Sequence, residues 1–356
     1  MRVIAPPGGV ADLAGYRDAA RKAGARYAVE GDLQAGAPPR QLSLRLLDTA
    51  SGRQVWSGTF EWPDRTAADA AQIALRAAVD VLAFAVGDAE VKRVLRKPVA
   101  QLDAMELVIR SYGVLYQGPS LANAREAIEL LEAARKMDPT LVPALLMTCD
   151  ALEMLRDTDP QLDLARYTRE LDEVSQRATS LDPDSPIAWH ARSYALLRLH
   201  RWDAALQASE RFMRLDPYNP RAVLQRADLL IGLGRPAEAL PLIDKATSMS
   251  NGRRSGMGFV AACHAHLLVG ANETAVTACE KANVSDDVFT QTLLVAAYAN
   301  AGNAAQSSAS LSTLMKLVPM LTVSKARAQG ASDHPEYLKL AEPTLYEGLR
   351  KAGLKE

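Results

Sequence analysis

Aromatic residues are scarce in this 356-residue chain: only 5% are Phe, Trp or Tyr, although hydrophobic residues together reach 48%. An excess of one charge is also lacking, since the net charge is −1, and a near-neutral protein has no overall field to steer nucleic acid or anionic lipid. No apolar run approaches the roughly 20 residues of a membrane-spanning helix, because the longest candidate, 77–86, contains Asp80. These shortages predict no membrane segment and no binding of nucleic acid by this chain.

Cysteine is rare as well, and the three in the chain are Cys149, Cys263 and Cys279. Their number is odd and their surroundings are apolar and helical, so we expect small buried thiols in a reducing compartment rather than a disulfide framework. The N-terminal stretch 1–6 has too short an apolar core for a secretory signal. A cytoplasmic location is therefore favoured, and an extracytoplasmic one is left open if a membrane segment precedes this chain.

A 34-residue period is the most informative positive feature. It separates five successive positions: Pro183, Pro217, Asn251, Ser285 and Pro319. This is the period of the tetratricopeptide repeat (TPR), a pair of helices joined by a turn. One such hairpin cannot bury its apolar face alone, so neighbouring hairpins stack and leave an extended groove. The period therefore predicts a mainly α, TPR-like solenoid that binds other polypeptides.

The turns inside the hairpins follow the same period with one local slip. Gly234 and Gly270 are 36 residues apart and Gly270 and Gly302 are 32 apart, so the two spacings together still span two periods. We expect these glycines to join the paired helices of successive repeats. About five or six hairpins fit between residues 102 and 317.

One repeat is longer than the others. Pro139 and Pro183, which each close a helical segment, are 44 residues apart. The roughly ten residues beyond the TPR period are predicted to lie near 157–164. After the array, a terminal helix is predicted at 333–353, covering the last repeat, because an uncovered end would expose the apolar interior.

The first part of the chain follows a different pattern, with polar and apolar residues alternating as in half-buried strands. Its predicted elements are a helix at 10–23, strands at 26–31, 41–46 and 54–60, and a helix from Thr66 to about Val94. The last two strands are close enough to form a hairpin. We therefore divide the chain into a small, incomplete α/β module (1–97), a helical repeat array (98–331) and a C-terminal capping helix (332–356).

Two stretches of this module carry a family resemblance: ARKAGARYAVEGDLQ at 20–34 and LSLRLLDTASGRQVWS at 42–57. They resemble the TolB amino-terminal-like module that precedes TPR arrays in bacterial regulators, and 347–354 resembles the end of the adenylate cyclase-associated members. The resemblance implies a regulatory role beside a class III cyclase domain or a winged-helix domain. It also implies that this chain is the rear part of a longer protein, because the family module has a strand and a helix before the stretch that matches 2–4.

Residues that could carry chemistry lack the spacing that chemistry needs. In Cys263-His264-Ala265-His266, neighbours at i and i+2 of a helix point apart and do not converge on a metal. The glycine-rich stretch 251–258 lacks the lysine and hydroxyl pair of a phosphate loop. The chain has no G-x-S-x-G nucleophile elbow. We therefore expect a protein that is not an enzyme and uses no cofactor or metal.

The candidate binding surface is the groove that the first helix of each repeat lines. The 34-residue register places eight residues near it: Asp150, Glu153, His190, Tyr194, Arg198, Arg221, Asp228 and His266. Mixed charges and a tyrosine can hold a peptide through charge-assisted hydrogen bonds. The competing interpretation is that these residues form only the polar side of an amphipathic array.

The leading hypothesis is a scaffold that binds a protein or peptide in this groove, as the sensory part of a bacterial signalling or transcription-regulating protein. One alternative is the regulatory half of a class III nucleotide cyclase whose catalytic domain is not in this chain. Another is an envelope-associated assembly factor. Self-association is left open in all three.

Overall fold

The computed structural model describes residues 13–34, 40–62, 67–159, 161–250, 256–282, 287–328 and 330–356. The chain divides into two compact units, Met1–Pro160 and Gln161–Glu356. Both contain packed helices, and a small antiparallel sheet lies near the N-terminus, so the mainly α, TPR-like architecture is confirmed. The three-domain division at 97 and 331 stays a prediction. Nowhere in the described ranges does a helix combine the length and apolar content that crossing a membrane requires.

The first unit begins with the predicted α/β elements. They are α1 (Leu13–Lys22), β1 (Tyr27–Gln34), β2 (Arg40–Asp48), β3 (Gln54–Trp62) and α2 (Ala67–Val94). The three strands form one antiparallel sheet in the order β1-β2-β3, which confirms the predicted hairpin and adds β1 to it. Leu46 and Leu47 are buried on the central strand. The predicted positions 10–12 and Thr66 lie outside the described residues.

The helical part of this unit starts at a buried carboxylate held by two partly exposed cations. After a short 3-10 turn at Val99–Gln101 come α3 (Ala104–Leu115), α4 (Leu121–Met137) and α5 (Val142–Thr158). Glu106 in the first turn of α3 accepts hydrogen bonds from Lys97 at 2.6 Å and from Arg93 at 2.7 Å. These two cations hold the pKa of Glu106 at about 2, so the end of α2 is tied to the start of α3.

The second unit contains the helices of the regular repeats and the C-terminal segment. They are α6 (Leu164–Leu181), α7 (Pro186–Arg198), α8 (Trp202–Leu215), α9 (Pro220–Gly232), α10 (Pro236–Met249), α11 (Gly256–Leu268), α12 (Asn272–Ala282), α13 (Val288–Asn300), α14 (Ala304–Leu317), α15 (Val323–Ala328), α16 (Pro335–Ala341) and α17 (Glu347–Lys351). A π-helical turn, Glu342–Tyr346, joins the last two. In the described parts of the two units, consecutive helices pack as the hairpins α3–α4, α7–α8, α9–α10, α11–α12 and α13–α14.

The hairpin turns share one backbone conformation. Gly234, Gly270 and Gly302 have φ values of 74°, 78° and 77°, which confirms them as turn residues between paired helices. Glycine favours this left-handed region because it has no Cβ. His200 occupies the same place in the α7–α8 turn with φ of 56°. Of the five periodic positions, Pro183, Pro217 and Pro319 follow α6, α8 and α14, and Asn251 and Ser285 lie outside the described residues.

The longer repeat is enlarged mainly in its helices. Helices α5 and α6 have 17 and 18 residues, whereas α7 and α8 have 13 and 14. The connection 159–163 is only two residues longer than 199–201. Helix α5 begins in the same register as α7, and α6 ends in the same register as α8, so the added residues lie at the end of α5, in the connection and at the start of α6. This confirms the prediction that they lie around 157–164. Each longer helix gains about one turn, which keeps the helix faces in nearly the same orientation.

The prediction of buried thiols is wrong for two of the three cysteines. Cys263 on α11 and Cys279 on α12 form a disulfide with their Cα atoms 5.1 Å apart. They are 16 residues apart, and the α11–α12 hairpin brings them face to face in its interior. Cys149 on α5 is a free, buried cysteine. An odd number of cysteines means that at least one is unpaired, but it does not exclude a disulfide between two of them.

Candidate functional site

Helices α7, α9, α11 and α13 are the first members of their hairpins, and the surface they share is called the first-helix face here. Part of this face is covered by the C-terminal segment, residues 332–351. Ser332 donates a hydrogen bond to the Gly232 carbonyl at the end of α9 at 2.6 Å. On α13, Asn300 donates to the Thr344 carbonyl at 2.6 Å. The segment therefore extends from α9 to α13 rather than covering the last repeat alone.

The C-terminal segment is part of the core of the second unit. Tyr337, Tyr346 and Leu349 are each 0% exposed. On α11, His264 Nε2 and the Tyr337 hydroxyl share a hydrogen bond of 3.0 Å. Burial lowers the pKa of His264 to about 3, so its imidazole is neutral at physiological pH. This part of the first-helix face is consequently filled by the chain itself.

The start of the segment is anchored at the α7–α8 turn. The Asp333 carboxylate lies 2.7 Å from His200 Nδ1 and accepts a hydrogen bond from Trp202 Nε1 at 3.1 Å. The ring of His334 packs edge-on against Trp202. His200 is the one non-glycine residue with positive φ in the described ranges, and its contact with Asp333 helps to hold this less favoured backbone conformation.

The first-helix face carries a cavity of about 440 Å³ where the segment does not fill it. Its wall is formed by α7, α9, the start of α11 and one side of α10. The apolar lining residues include Pro220, Leu224, Ile243, Ala246 and Met257. The larger polar lining residues are His190, Tyr194, Arg221, Gln225 and Asp228. The cavity therefore combines an apolar wall with a few polar groups, as binding sites for small molecules and side chains do.

Three polar groups at this cavity have unused hydrogen-bonding capacity. Gln225 is 8% exposed and donates to the His190 carbonyl at 3.3 Å, but its Oε1 makes no close hydrogen bond within the described ranges. His190 Nδ1 makes no close hydrogen bond there, but the Gln225 side chain interacts with the His190 ring and offsets part of the lowering of its pKa. No described residue makes a hydrogen bond or ion pair with the Asp228 carboxylate. Asp228 is exposed at the cavity, where water can satisfy its carboxylate. Among the described residues it is an unpaired charge that this cavity offers to a ligand.

Burial shifts the pKa values of the titratable groups here in opposite directions. It raises the pKa of Asp228 to about 7. The Asp228 residue is nevertheless exposed to solvent at the cavity, so water reduces this effect. Burial, assisted by the positive charge of Arg221, lowers the pKa of His190 to about 4. Near neutral pH the cavity therefore contains a neutral imidazole and a carboxyl group that ionises readily when a cation approaches.

The structure brings four of the eight sequence-predicted residues together. His190, Tyr194, Arg221 and Asp228 all line the cavity. Arg198 lies next to it, where its guanidinium donates to the Tyr194 hydroxyl and stacks 4.6 Å from the ring centroid.

The other three predicted residues do not line the cavity. Asp150 and Glu153 are on α5 in the first unit, where Glu153 pairs with Arg156. His266 is half-buried on α11. The 36-residue spacing from Gly234 to Gly270 explains this displacement, since it places His264 rather than His266 in register with the groove residues of α9.

Gln225, Leu224 and Ile243 belong to the site but are missing from the sequence-based set. The first two lie on α9 beside predicted positions, so their lining role follows from the helical period. Ile243 is on the second helix of its hairpin, and only the packing of α10 behind α9 brings it to the cavity.

No protein-family model matches this chain, and no curated protein matches it. Among solved structures, a chain of the APC/C hetero-tetramer Cut9–Hcn1 is similar over 70% of this chain, with 12% identity and a TM-score of 0.55. The match spans 45% of that chain, which is less than half its length. The structure of PilF from Pseudomonas aeruginosa matches 68% of this chain and 97% of its own, with 13% identity and a TM-score of 0.46. The first similarity supports the helical-repeat fold.

Proposed function

We propose that the second unit is a non-enzymatic scaffold that binds a segment of a partner polypeptide at the cavity on its first-helix face. The observation that carries the proposal is a cavity of about 440 Å³ on this face, which combines an apolar wall with the carboxylate of Asp228. Arrays of TPR type present such faces to extended or helical peptides.

A binding role accounts for this carboxylate better than a catalytic one. Nucleophilic catalysis places a nucleophile and its activating base within hydrogen-bond reach of one another. Asp228 has no such partner among the residues that the structure describes. Its carboxyl group can therefore recognise a ligand, but it lacks the neighbouring base or nucleophile that would act on one.

Photocrosslinking tests the proposal directly. A photoreactive phenylalanine analogue replaces Tyr194 in the cavity and, as the control, replaces Lys245, which is exposed on α10. We expect a discrete crosslinked partner at position 194, absent at position 245 and weakened when Leu224→Trp fills the cavity. Equal adducts at both positions, or none at position 194, would contradict the proposal.

We further propose that this scaffold is the regulatory part of a bacterial signalling or transcription-regulating protein. The support is the resemblance of 20–34 and 42–57 to the TolB amino-terminal-like module, together with an element order of helix, three antiparallel strands and long helix. Sequencing the flanking gene region tests this assignment, with an adjoining cyclase or winged-helix domain as the expected result. Flanking segments of neither type would remove this support.

The disulfide favours the second candidate, an envelope-associated scaffold. Structural disulfides persist in oxidising compartments and are rare in the cytoplasm. Cells are quenched with acid, denatured and treated with a mass-tagged alkylating reagent. If Cys263 and Cys279 are paired in the cell, only Cys149 is labelled before reduction, and all three are labelled afterwards. Labelling of all three before reduction would place the second unit in a reducing compartment.

A further inference from the structure

We infer that the cavity selects a lysine or arginine side chain of the partner and pairs it with Asp228. This inference rests on the proposed function, since it names the chemistry of the segment that binds there. It assigns Asp228 as the specificity-determining residue and Arg221 as a second charged contact for the same segment.

The charged group behind this assignment is an acceptor. The ionised carboxylate of Asp228 only accepts hydrogen bonds, and no hydrogen bond or ion pair joins it to the part of the chain that the structure describes. Gln225 is more than nine-tenths buried, and its side chain interacts with the His190 ring, so it forms part of the polar wall beside this carboxylate. An ammonium or guanidinium group supplies several donors at once and forms a charge-assisted hydrogen bond with a carboxylate.

The apolar wall suits the rest of such a side chain. Leu224, Ile243 and Met257 line the cavity from three helices. Lysine and arginine carry long aliphatic stems that pack on apolar surface while the charged end finds a polar partner. An acidic side chain would bring its charge towards Asp228, and a purely apolar one would offer the Asp228 carboxylate no donor in place of water.

Arg221 gives the site a second, opposite charge. It lies seven residues before Asp228 on α9, which corresponds to about 10 Å along a helix axis. Arg221 is exposed, and no ion pair joins it to the residues of the described ranges. The site is therefore dipolar, and the segment it fits carries a basic group for Asp228 and an acidic group for Arg221 about 10 Å away.

On the covered part of the first-helix face, His264 has the kind of hydrogen-bond partner that Asp228 lacks among the described residues. His264 lies six residues before Gly270, as Asp228 lies six residues before Gly234. The hydroxyl of Tyr337 from the C-terminal segment satisfies the His264 ring. A side chain presented to Asp228 from a partner would complete the equivalent position in the preceding repeat.

Fluorescence anisotropy with a library of short blocked peptides tests the inference on the full chain. Each peptide is made with lysine, with norleucine or with glutamate at one position. We expect the lysine form of the best binder to bind at least about tenfold more tightly than the norleucine form, as a charge-assisted hydrogen bond is worth about 1.5–3 kcal/mol. Asp228→Asn removes this preference, and Asp228→Lys reverses it towards glutamate. Arg221→Glu weakens binding only of peptides that also contain an acidic residue.

Matched variants separate the possible failures. Glu173→Gln, an exposed acid on α6, should leave the preference unchanged. Leu224→Trp and, independently, Thr247→Trp fill the cavity and should abolish binding while the circular dichroism spectrum is retained. Binding that these fillers block but that shows no preference for lysine would overturn this inference and leave the proposed function intact. Peptide binding that neither folded filler reduces, or no binding at all, would overturn both.

Discussion

Asp228 and His264 occupy equivalent positions in consecutive repeats, yet their surroundings differ. Both lie on a first helix, six residues before a turn glycine with φ near 75°. The C-terminal segment covers His264 and satisfies its ring with Tyr337, whereas Asp228 faces a cavity of about 440 Å³. The same repeat geometry therefore yields a closed structural contact in one place and an open binding position in the next. What differs is whether the chain itself supplies the neighbour.

Burial also shifts the pKa values of the covered residue, His264, and of the open residue, Asp228, in opposite directions. Burial makes protonation of His264 unfavourable, because a charged imidazole would lie among apolar groups. Asp228 is destabilised in its charged form by the same effect, but a cationic ligand can reverse it. Substitutions at and around the two positions should therefore differ in their effects on stability.

Truncation of a segment anchor should destabilise the covered region most. Leu349→Ala removes a side chain that is 0% exposed, and such core truncations cost about 2–5 kcal/mol. Chemical denaturation of the second unit should show this loss as a lower midpoint. Lys339→Ala, an exposed position on the same segment, should change stability by less than about 0.5 kcal/mol. Equal effects of the two variants would mean that the segment is not packed as described.

Removal of the Cys263–Cys279 disulfide should have the second largest effect on stability. It closes a loop of 16 residues, and a loop of this length is worth about 3 kcal/mol in the chain-entropy model. Cys263→Ala combined with Cys279→Ala should therefore lower the melting temperature by several degrees, and the wild type should lose a similar amount in reductant. Cys149→Ala serves as the control for reductant sensitivity. A wild-type melting temperature that is unchanged by reductant would contradict a folded-state disulfide.

Acid should lower the stability of the folded protein through protonation of His264. Its folded-state pKa is about 3, below the ordinary value of about 6.5, so its contribution to stability is complete above pH 6.5 and is lost as the pH falls towards 3. At pH 5 the loss is about 2 kcal/mol. His264→Gln keeps a polar partner for Tyr337 and should flatten this part of the stability profile. A profile that is identical in the variant would show that His264 is not buried as a neutral imidazole.

Asp228→Asn should have the smallest effect on stability and the opposite sign. The folded-state pKa of Asp228 is about 7, raised above its ordinary value of about 3.9, so its stabilising contribution is present at low pH and is lost as the pH rises through 7. The variant should be more stable than the wild type at pH 8 by about 1 kcal/mol or less, because water in the cavity screens the charge. Thermal melts at pH 5 and pH 8 measure the difference. A lower stability of the variant at pH 8 would mean that Asp228 already has a partner in the free protein.

The sequence predicts the repeats well because their signal is local and recurs. Gly234, Gly270 and Gly302 identify the turns, and the alternation in 41–46 and 54–60 identifies the strands. Four cavity residues also follow from the 34-residue register. These features depend on helix and strand period and on turn conformation, which a chain carries in its own residue order.

The features that the sequence does not predict depend on contacts between distant residues. The segment that includes Tyr337 returns to α11 across 73 positions, and no periodicity encodes that return. The Cys263–Cys279 pair requires two specific side chains to face each other across a hairpin, and His266 was assigned where the two-residue slip places His264. Ile243 enters the cavity from a second helix, so it follows only from the packing of two elements.

Hydrogen–deuterium exchange with and without the best lysine-containing peptide tests the central claim most directly. We expect slower exchange in α7, in α9 and at the start of α11. Exchange should not change in α13, which the C-terminal segment already covers, or in that segment itself, residues 332–351. We also expect Asp228→Asn to remove this protection. Protection confined to α13, or exposure of the C-terminal segment on peptide binding, would contradict the account.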